Sequence, residues 1–133
     1  MTALEQGDLI RVDFNPSVGH EPAKSRPAVV VSGYGFNSRS SLVSVVPITS
    51  RDNGYPLHIP CAVEGATCFA CVEQLRNIDL GHRTYTRIGY AADDEMRAIM
   101  SAIRGMLELR WVCGLRFAAD AGKRYGLGGV RWS

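Results

Sequence analysis

The sequence lacks several features that would assign the protein to a special class. No apolar run reaches the roughly 18 residues that a membrane span requires. The first residues, Met1 to Asp8, lack the basic and then apolar pattern of a secretory signal, which predicts a cytoplasmic protein. Apolar residues make up 46% of the 133 and charged residues 21%, which argues against a disordered or fibrous chain. We therefore expect one compact domain, with no activity specified by composition.

The chain also has little excess charge, because its net charge is only +2. That charge is unevenly distributed. Residues 1–103 hold nine Lys and Arg against eleven Asp and Glu, whereas residues 104–133 hold six against two. Since nucleic-acid binding depends on a local cluster of Lys and Arg rather than on the sum, this balance permits RNA as a partner without requiring it.

Cysteine is too scarce for a disulfide scaffold, and we expect free thiols in a reducing compartment. The four cysteines are Cys61, Cys68, Cys71 and Cys113. Cys68 and Cys71 match the C-x-x-C pattern, and Cys61 and His58 lie upstream as possible further zinc ligands. The surrounding residues form an apolar stretch without a glycine-rich knuckle, which favours unligated cysteines in the core. Zinc or redox chemistry stays the alternative.

The first two thirds of the chain predict short strands separated by turns. Ile10, Val12 and Phe14 alternate with polar Arg11 and Asp13, which is typical of a strand with one buried face. Further strands are predicted over residues 26–31, 42–48, 57–59, 68–72 and 84–88, with turns at 33–38 and a hairpin signal at Asn53-Gly54. Arg26 and Pro27 then stand at the mouth of the second strand, where proline is tolerated.

One amphipathic helix follows the strands. Asp93 is predicted to cap it, and Asp94 and Glu95 suit its positive N-terminal end. Its apolar stripe, which we assign to barrel packing or a subunit interface, comprises Met96, Ile99, Met100, Ile103, Met106 and Leu107. Short strands and one late helix predict a mainly β, α+β fold: a half-open β-barrel with a C-terminal amphipathic helix.

Four segments in fixed order make the pattern more specific. They are Gly7-Asp8-Leu9-Ile10, residues 19–31 (GHEPAKSRPAVVV), Val46-Pro47-Ile48-Thr49-Ser50, and residues 73–79 (EQLRNID). In this order the sequence, over residues 7–108, resembles the MazF/PemK family of toxin endoribonucleases. Residues 1–109 are then the toxin domain, whereas the glycine-rich, basic tail at 110–133 has no counterpart.

The resemblance implies a homodimeric toxin with an SH3-like barrel that cleaves single-stranded RNA. It also implies cleavage without a metal or other cofactor, and silencing by a cognate antitoxin protein. By position, the family's catalytic arginine corresponds to Arg26 and its catalytic threonine to Thr49. Glu21 matches a loop acid, and His20 matches a histidine that some members place before it. Glu73 stands where the family often has aspartate, and its role stays open.

The same residue types suit the chemistry on physical grounds. RNA cleavage by its own 2′-hydroxyl needs a base, a proton donor for the leaving oxygen, and donors for the phosphoryl oxygens. Histidine is the residue type among them whose unperturbed pKa lies near neutrality, which suits His20 to proton transfer. Arginine hardly deprotonates, so Arg26 suits a phosphate clamp, with Thr49 as a further donor. The alternatives are that Glu21 is a solvated charge, Arg26 a surface ion-pair partner and Thr49 a turn residue.

RNA must also be held, and the predicted RNA-binding residues are Lys24, Arg51, Asn53, Tyr55 and Arg76. Arginine can bind phosphate, asparagine a base edge and tyrosine a base face, which are the contacts of single-strand recognition. The alternative is that residues 50–56 form an ordinary hairpin loop.

Two other functions fit the same fold, because fold does not imply activity. The first is a toxin that poisons DNA gyrase by binding it, for which Trp132 near the C-terminus would matter. The second is a barrel that binds RNA or peptide without cleaving it. We favour the nuclease because the gyrase binders have no use for Arg26 and Thr49.

Overall fold

The computed structural model describes residues 2–14 and 25–108. The strands are β1 (Asp8–Asp13), β2 (Ser25–Val30), β3 (Leu42–Thr49), β4 (His58–Val63), β5 (Ala66–Cys71), β6 (Arg76–Asp79) and β7 (Tyr85–Tyr90). The helices are α1 (Tyr34–Asn37) and α2 (Asp93–Leu107), with 3-10 turns at Val72–Gln74 and Leu80–His82. The chain divides into two compact units, residues 1–102 and 103–133. Of the second unit, only the end of α2 and Glu108 are described.

All the paired strands are antiparallel and follow the order β4-β5-β3-β2-β1-β7, with β6 paired to β3 as well. Strand β3 pairs with β2 along one edge. Along its other edge, residues 42–45 pair with β6 and residues 48–49 pair with β5. A strand that changes partner part-way along its length curls the sheet, and the predicted half-open barrel is confirmed.

The central strands consist largely of apolar residues, and these side chains form the buried core. A cluster of buried residues fills the concave side of the sheet: Leu4, Ile10, Val12, Ala28, Val30, Val43, Val45, Ile78 and Leu80. The intervening residues Val29 and Val46 are also fully buried. Burial on both faces explains why β2 reads as a continuous apolar run, whereas β1 shows the alternation that predicted it.

Strand β4 lies at one end of the sheet, and its outward backbone donors are all accounted for. His58 N–H donates to the carbonyl of Tyr55 at 2.9 Å. Pro60 has no N–H to offer. Ala62 N–H donates to Oε2 of Glu95 at 2.8 Å. The free edge of β4 is thus closed by a turn, a proline and a carboxylate from α2.

The start of α2 differs from the predicted cap. Asp93 is the first helical residue, and the first intrahelical bond runs from Met96 N–H to the carbonyl of Ala92 at 2.9 Å. Glu95 instead bonds the orphan N–H of Ala92 through Oε1 at 2.9 Å, as the third residue of a capping box does. Met96 packs over Gly7, whose φ of +101° disfavours any larger residue. Ile99 is fully buried, whereas Leu107 at the end of the stripe is 51% exposed.

Helix α1 and strand β6 were not predicted, and the predicted hairpin at Asn53-Gly54 was wrong. The segment taken as a turn at 33–38 contains α1, whose Asn37 is fully buried and donates to the carbonyls of Leu4 and Ser32. Strand β6 was missed because only Ile78 of its four residues is buried. Asn53-Gly54 does not close a hairpin, because β3 and β4 are not paired and β5 lies between them.

The cysteines in the described part of the chain, Cys61, Cys68 and Cys71, are free and buried. Cys61 pairs with Cys68 across β4 and β5. Burial, followed by the nearby carboxylate of Glu95, raises the pKa of Cys61 to about 12. Cys113 lies outside the described residues, as does the predicted tail from residue 110. Within residues 2–14 and 25–108, no helix is long and apolar enough to cross a membrane.

Candidate active site

An open cleft of about 310 Å³ lies where β2, β3, β4 and β5 approach one another. Its chemically active lining consists of Arg26, Thr49, Arg51, Asn53, His58 and Cys71. The sheet register explains why these side chains meet. The β2–β3 pairing runs from Val30 and Val45 to Ala28 and Pro47. Arg26 and Thr49 each lie two residues beyond its end, and both line the cleft. The structure therefore brings together Arg26 of the second segment and Thr49 of the third.

The cleft carries positive charge that no described carboxylate pairs. The side chains of Arg26 and Arg51 belong to exposed residues. In the part of the chain that the structure describes, ion pairs engage Arg11, Arg87 and His58, and neither cleft arginine has a carboxylate partner. The alternative that Arg26 is a partner in a surface ion pair thus receives no support from the described residues. Two exposed guanidinium groups at one cleft suit a phosphate-bearing ligand.

Thr49 ends β3 and is half-buried. Its Oγ1 accepts a hydrogen bond from the backbone N–H of Arg51 at 3.2 Å. This is the backbone turn that was the alternative interpretation of Thr49. It does not consume the hydroxyl proton, because the oxygen accepts this bond, so the same hydroxyl can still donate into the cleft. The same hydrogen bond fixes the backbone of Arg51 just beyond the end of β3.

The loop after Thr49 is held by its own side chains. Asp52 Oδ1 accepts from Gly54 N–H at 2.9 Å, and Asn53 Oδ1 accepts from Tyr55 N–H at 3.2 Å. Asn53 keeps its amide NH₂ free for a ligand. Tyr55 is 46% exposed and does not line the cleft, but its ring meets His58 edge-on at 5.4 Å between centroids.

The remaining predicted residues lie elsewhere. The guanidinium of Arg76 stacks 4.7 Å above the ring of Phe14 and donates to its carbonyl at 3.4 Å, away from the cleft lining. His20, Glu21 and Lys24 lie outside the described residues.

The sequence analysis grouped His58 and Cys71 as possible zinc ligands with Cys61 and Cys68, whereas the structure places them beside Glu73, with His58 and Cys71 lining the cleft. His58 pairs with Cys71 across β4 and β5, and its Nε2 lies 2.8 Å from Oε2 of Glu73. Burial, followed by the charge of Glu73, raises the pKa of the Cys71 thiol. His58 and Cys71 are 13 positions apart in the sequence, and only the register of the two strands brings them side by side. The C-x-x-C pattern pointed to Cys71 and His58, but it gave no signal for Glu73.

The comparison with known proteins decides the family. Residues 5–107 match the sequence profile of the PemK-like, MazF-like toxins of type II toxin–antitoxin systems. The chain belongs to this family. The resemblance of the four sequence segments is thereby confirmed, and so is the classification of the protein as a MazF-like toxin.

Relatives and solved structures extend the comparison. The Escherichia coli K12 endoribonuclease toxin MazF is 33% identical over 103 residues, which cover 77% of this chain and 93% of that protein. The endoribonuclease toxin ChpB of the same organism is 33% identical over 111 residues, covering 79% and 95%. The crystal structure of MazF from Deinococcus radiodurans superposes with a TM-score of 0.70 at 25% identity, over 82% of this chain and 100% of that one.

Proposed function

We propose that this MazF-like toxin is a metal-independent, sequence-specific endoribonuclease that cleaves single-stranded RNA, with mRNA as its cellular substrate. The supporting relatives are named endoribonuclease toxins and align over more than nine tenths of their length. The observation that carries the proposal is the cleft that Arg26 and Thr49 both line, with no carboxylate partner for Arg26 among the described residues.

The reaction is attack by the ribose 2′-oxygen on the adjacent phosphorus. A base takes the 2′-hydroxyl proton, the P–O5′ bond breaks, and the 5′-oxygen leaves with a proton from an acid. Arg26 clamps two phosphoryl oxygens with its planar fork, and Thr49 donates its hydroxyl proton to the same group. The products are a 2′,3′-cyclic phosphate and a 5′-hydroxyl end.

The proton transfers are assigned to His20 and Glu21. Both precede β2 by a few residues, and an imidazole of ordinary pKa can take and give protons near neutral pH. Arg26 is unsuited to this task because its guanidinium stays protonated.

Substrate binding is assigned to the residues around the cleft. Arg51 binds a backbone phosphate, Asn53 presents its free amide to a base edge, and Tyr55 offers an exposed ring for stacking. Lys24 and Arg76 contribute at the periphery, where Arg76 would have to leave its contact with Phe14.

The partners of the protein follow from the same surface. A cognate antitoxin with an acidic, partly disordered segment covers the cleft and competes with RNA for Arg26 and Arg51. A second copy of the chain completes a groove deep enough for several nucleotides, because one small barrel offers a shallow surface. The toxin dimer acts in the cytoplasm, where its mRNA substrate is found.

One experiment tests the reaction. A long RNA is incubated with the purified toxin in EDTA, and the cleaved ends are mapped. A matched substrate with 2′-deoxyribose at the scissile position is the control and should stay uncut. Cleavage of the deoxy substrate, or a strict need for Mg²⁺, contradicts the proposed chemistry. Loss of gyrase supercoiling activity in a parallel assay without RNA cleavage would instead favour the gyrase-binding alternative.

A further inference from the structure

The cleft contains a side-chain cluster that RNA cleavage does not use. Ligand atoms of His58, Cys71 and Glu73 all lie within 4.8 Å of one another. They combine an imidazole nitrogen, a thiol and a carboxylate, which are the three donor types that Zn²⁺ takes in proteins. We propose that these three residues form a Zn²⁺ binding site in the wall of the cleft.

The backbone places the three donors. His58 and Cys71 are directly opposite each other in the β4–β5 ladder, and such partners have Cβ atoms about 5 Å apart on one face. Immediately after Cys71 the chain turns through a 3-10 helix, which is anchored by Val72 N–H on the carbonyl of Leu57 at 3.1 Å. That turn brings Glu73 back to His58, at 2.8 Å between Nε2 and Oε2.

The spacing fits the ion after a small adjustment. Tetrahedral zinc with bonds of about 2.0 to 2.3 Å separates its ligand atoms by roughly 3.4 to 3.6 Å. The three donors already lie within 4.8 Å of one another. The imidazole and the carboxylate must open by roughly half an ångström, which the exposed Glu73 side chain allows. A dication between a thiolate, a carboxylate and a neutral imidazole leaves the cluster without net charge.

The histidine itself has unused bonding capacity. Its side chain is only 6% exposed, and among the described residues its buried Nδ1 has no hydrogen-bond partner. The ion would bind through Nε2, the ring nitrogen that faces Glu73, while Nδ1 stays buried on the other side of the ring. The edge of Tyr55 holds the ring at 5.4 Å between centroids, so the donor is already oriented.

The matched contrast is the other cysteine pair of the same two strands. Cys61 and Cys68 also face each other across β4 and β5. No histidine accompanies them in the described cluster, and the Cys61 thiol is 3.9 Å from Oε1 of Glu95, which is engaged at the start of α2. The Cys68→Ser variant therefore removes a buried thiol of β5 without touching the proposed site.

The test is a Co²⁺ titration of the reduced, metal-free full chain, because cobalt replaces zinc and shows a thiolate charge-transfer band in the near ultraviolet. One ion per chain should give this band, and Zn²⁺ should remove it by displacement. Cys71→Ser should abolish the band, and His58→Gln should weaken Zn²⁺ binding about ten-fold or more in calorimetry. Cys68→Ser should bind as the wild type does.

Two results would overturn the proposal: no thiolate band in the wild type, or an equal band in Cys71→Ser, which would place the thiolate ligand elsewhere. Far-ultraviolet circular dichroism of each variant establishes that it is folded, and the Glu73→Gln variant repeats the test without altering a buried residue. Because binding is read without RNA, the outcome does not depend on whether the cleavage mechanism is right.

Discussion

The buried core of the barrel and the cleft at the ends of β2 and β3 are built from the same strands, but they differ in the polarity and exposure of their side chains. In the core, Val30, Val43 and Val45 are fully buried among apolar neighbours. In the cleft, Arg26 stands only four residues before Val30 on β2, yet it is exposed and has no carboxylate partner among the described residues. Under the proposed mechanism, stability and activity are separated along single strands, and substitutions should affect one without the other.

The largest expected effect is on activity. Arg26→Ala should lower RNA cleavage by about 100-fold or more, because it removes roughly 3 kcal/mol of charge stabilisation in the transition state. Its melting temperature should stay within about a degree of the wild type, since an exposed residue contributes little to stability. Arg39→Ala, at an exposed arginine that does not line the cleft, is the matched control and should cleave normally. Cleavage by Arg26→Ala within ten-fold of the wild type would remove this residue from the mechanism.

The converse substitution is Val45→Ala in the core. Loss of two buried methyl groups, with a cavity left behind, should lower the free energy of unfolding by about 2 kcal/mol. Urea denaturation measures this change, while kcat for RNA cleavage at a temperature well below the transition should be unchanged. A drop in both quantities at that temperature would show that the core and the cleft are coupled.

Thr49→Ala tests the boundary between the two regions, because Thr49 is half-buried and also holds the turn at Arg51. One neutral donor to a phosphoryl oxygen is worth about 1.4 kcal/mol, so cleavage should fall about ten-fold. Thr49→Ser keeps the hydroxyl and should restore most of the rate. Equal rates for Thr49→Ala and the wild type would show that Thr49 acts only in the backbone turn and not in cleavage.

The remaining effect appears only at alkaline pH and concerns the buried Cys61 thiol. Its pKa is raised from 9.0 to about 12, so the folded state holds this proton more tightly than the unfolded state. The resulting stability is complete below about pH 9 and is lost as the pH rises towards 12. Between about pH 8 and about pH 10.5, the wild type should lose more unfolding free energy than Cys61→Ala does. Parallel losses in the two proteins would count against this role for the thiol.

These regions also differ in how far the sequence predicted them. The alternation in β1 and the apolar runs of β2 and β3 were sufficient for the barrel, because burial leaves a direct mark on residue type. The motif order predicted Arg26 and Thr49 as site residues, and the structure places both in the lining of one cleft. At His58 the sequence predicted only part of the cluster: His58 and Cys71 were named as possible zinc ligands, but with Cys61 and Cys68 rather than Glu73. The pairing of β4 with β5, which local pattern does not encode, decides which of these side chains meet. Asp93 was a wrong cap because Glu95 reaches back to Ala92 instead.

The bonding of β4 bears on a different hazard. A strand at the end of a sheet offers a template on which another chain can pair, and exposed edges of this kind lead to aggregation. In β4 the outward N–H groups are not available for such pairing, because those of His58 and Ala62 already donate and Pro60 has none. Glu95→Ala would uncover the Ala62 donor beside a stretch containing three buried cysteines and apolar residues. We therefore expect that variant to form intermolecular β-structure on concentration well before its folded fraction has measurably fallen.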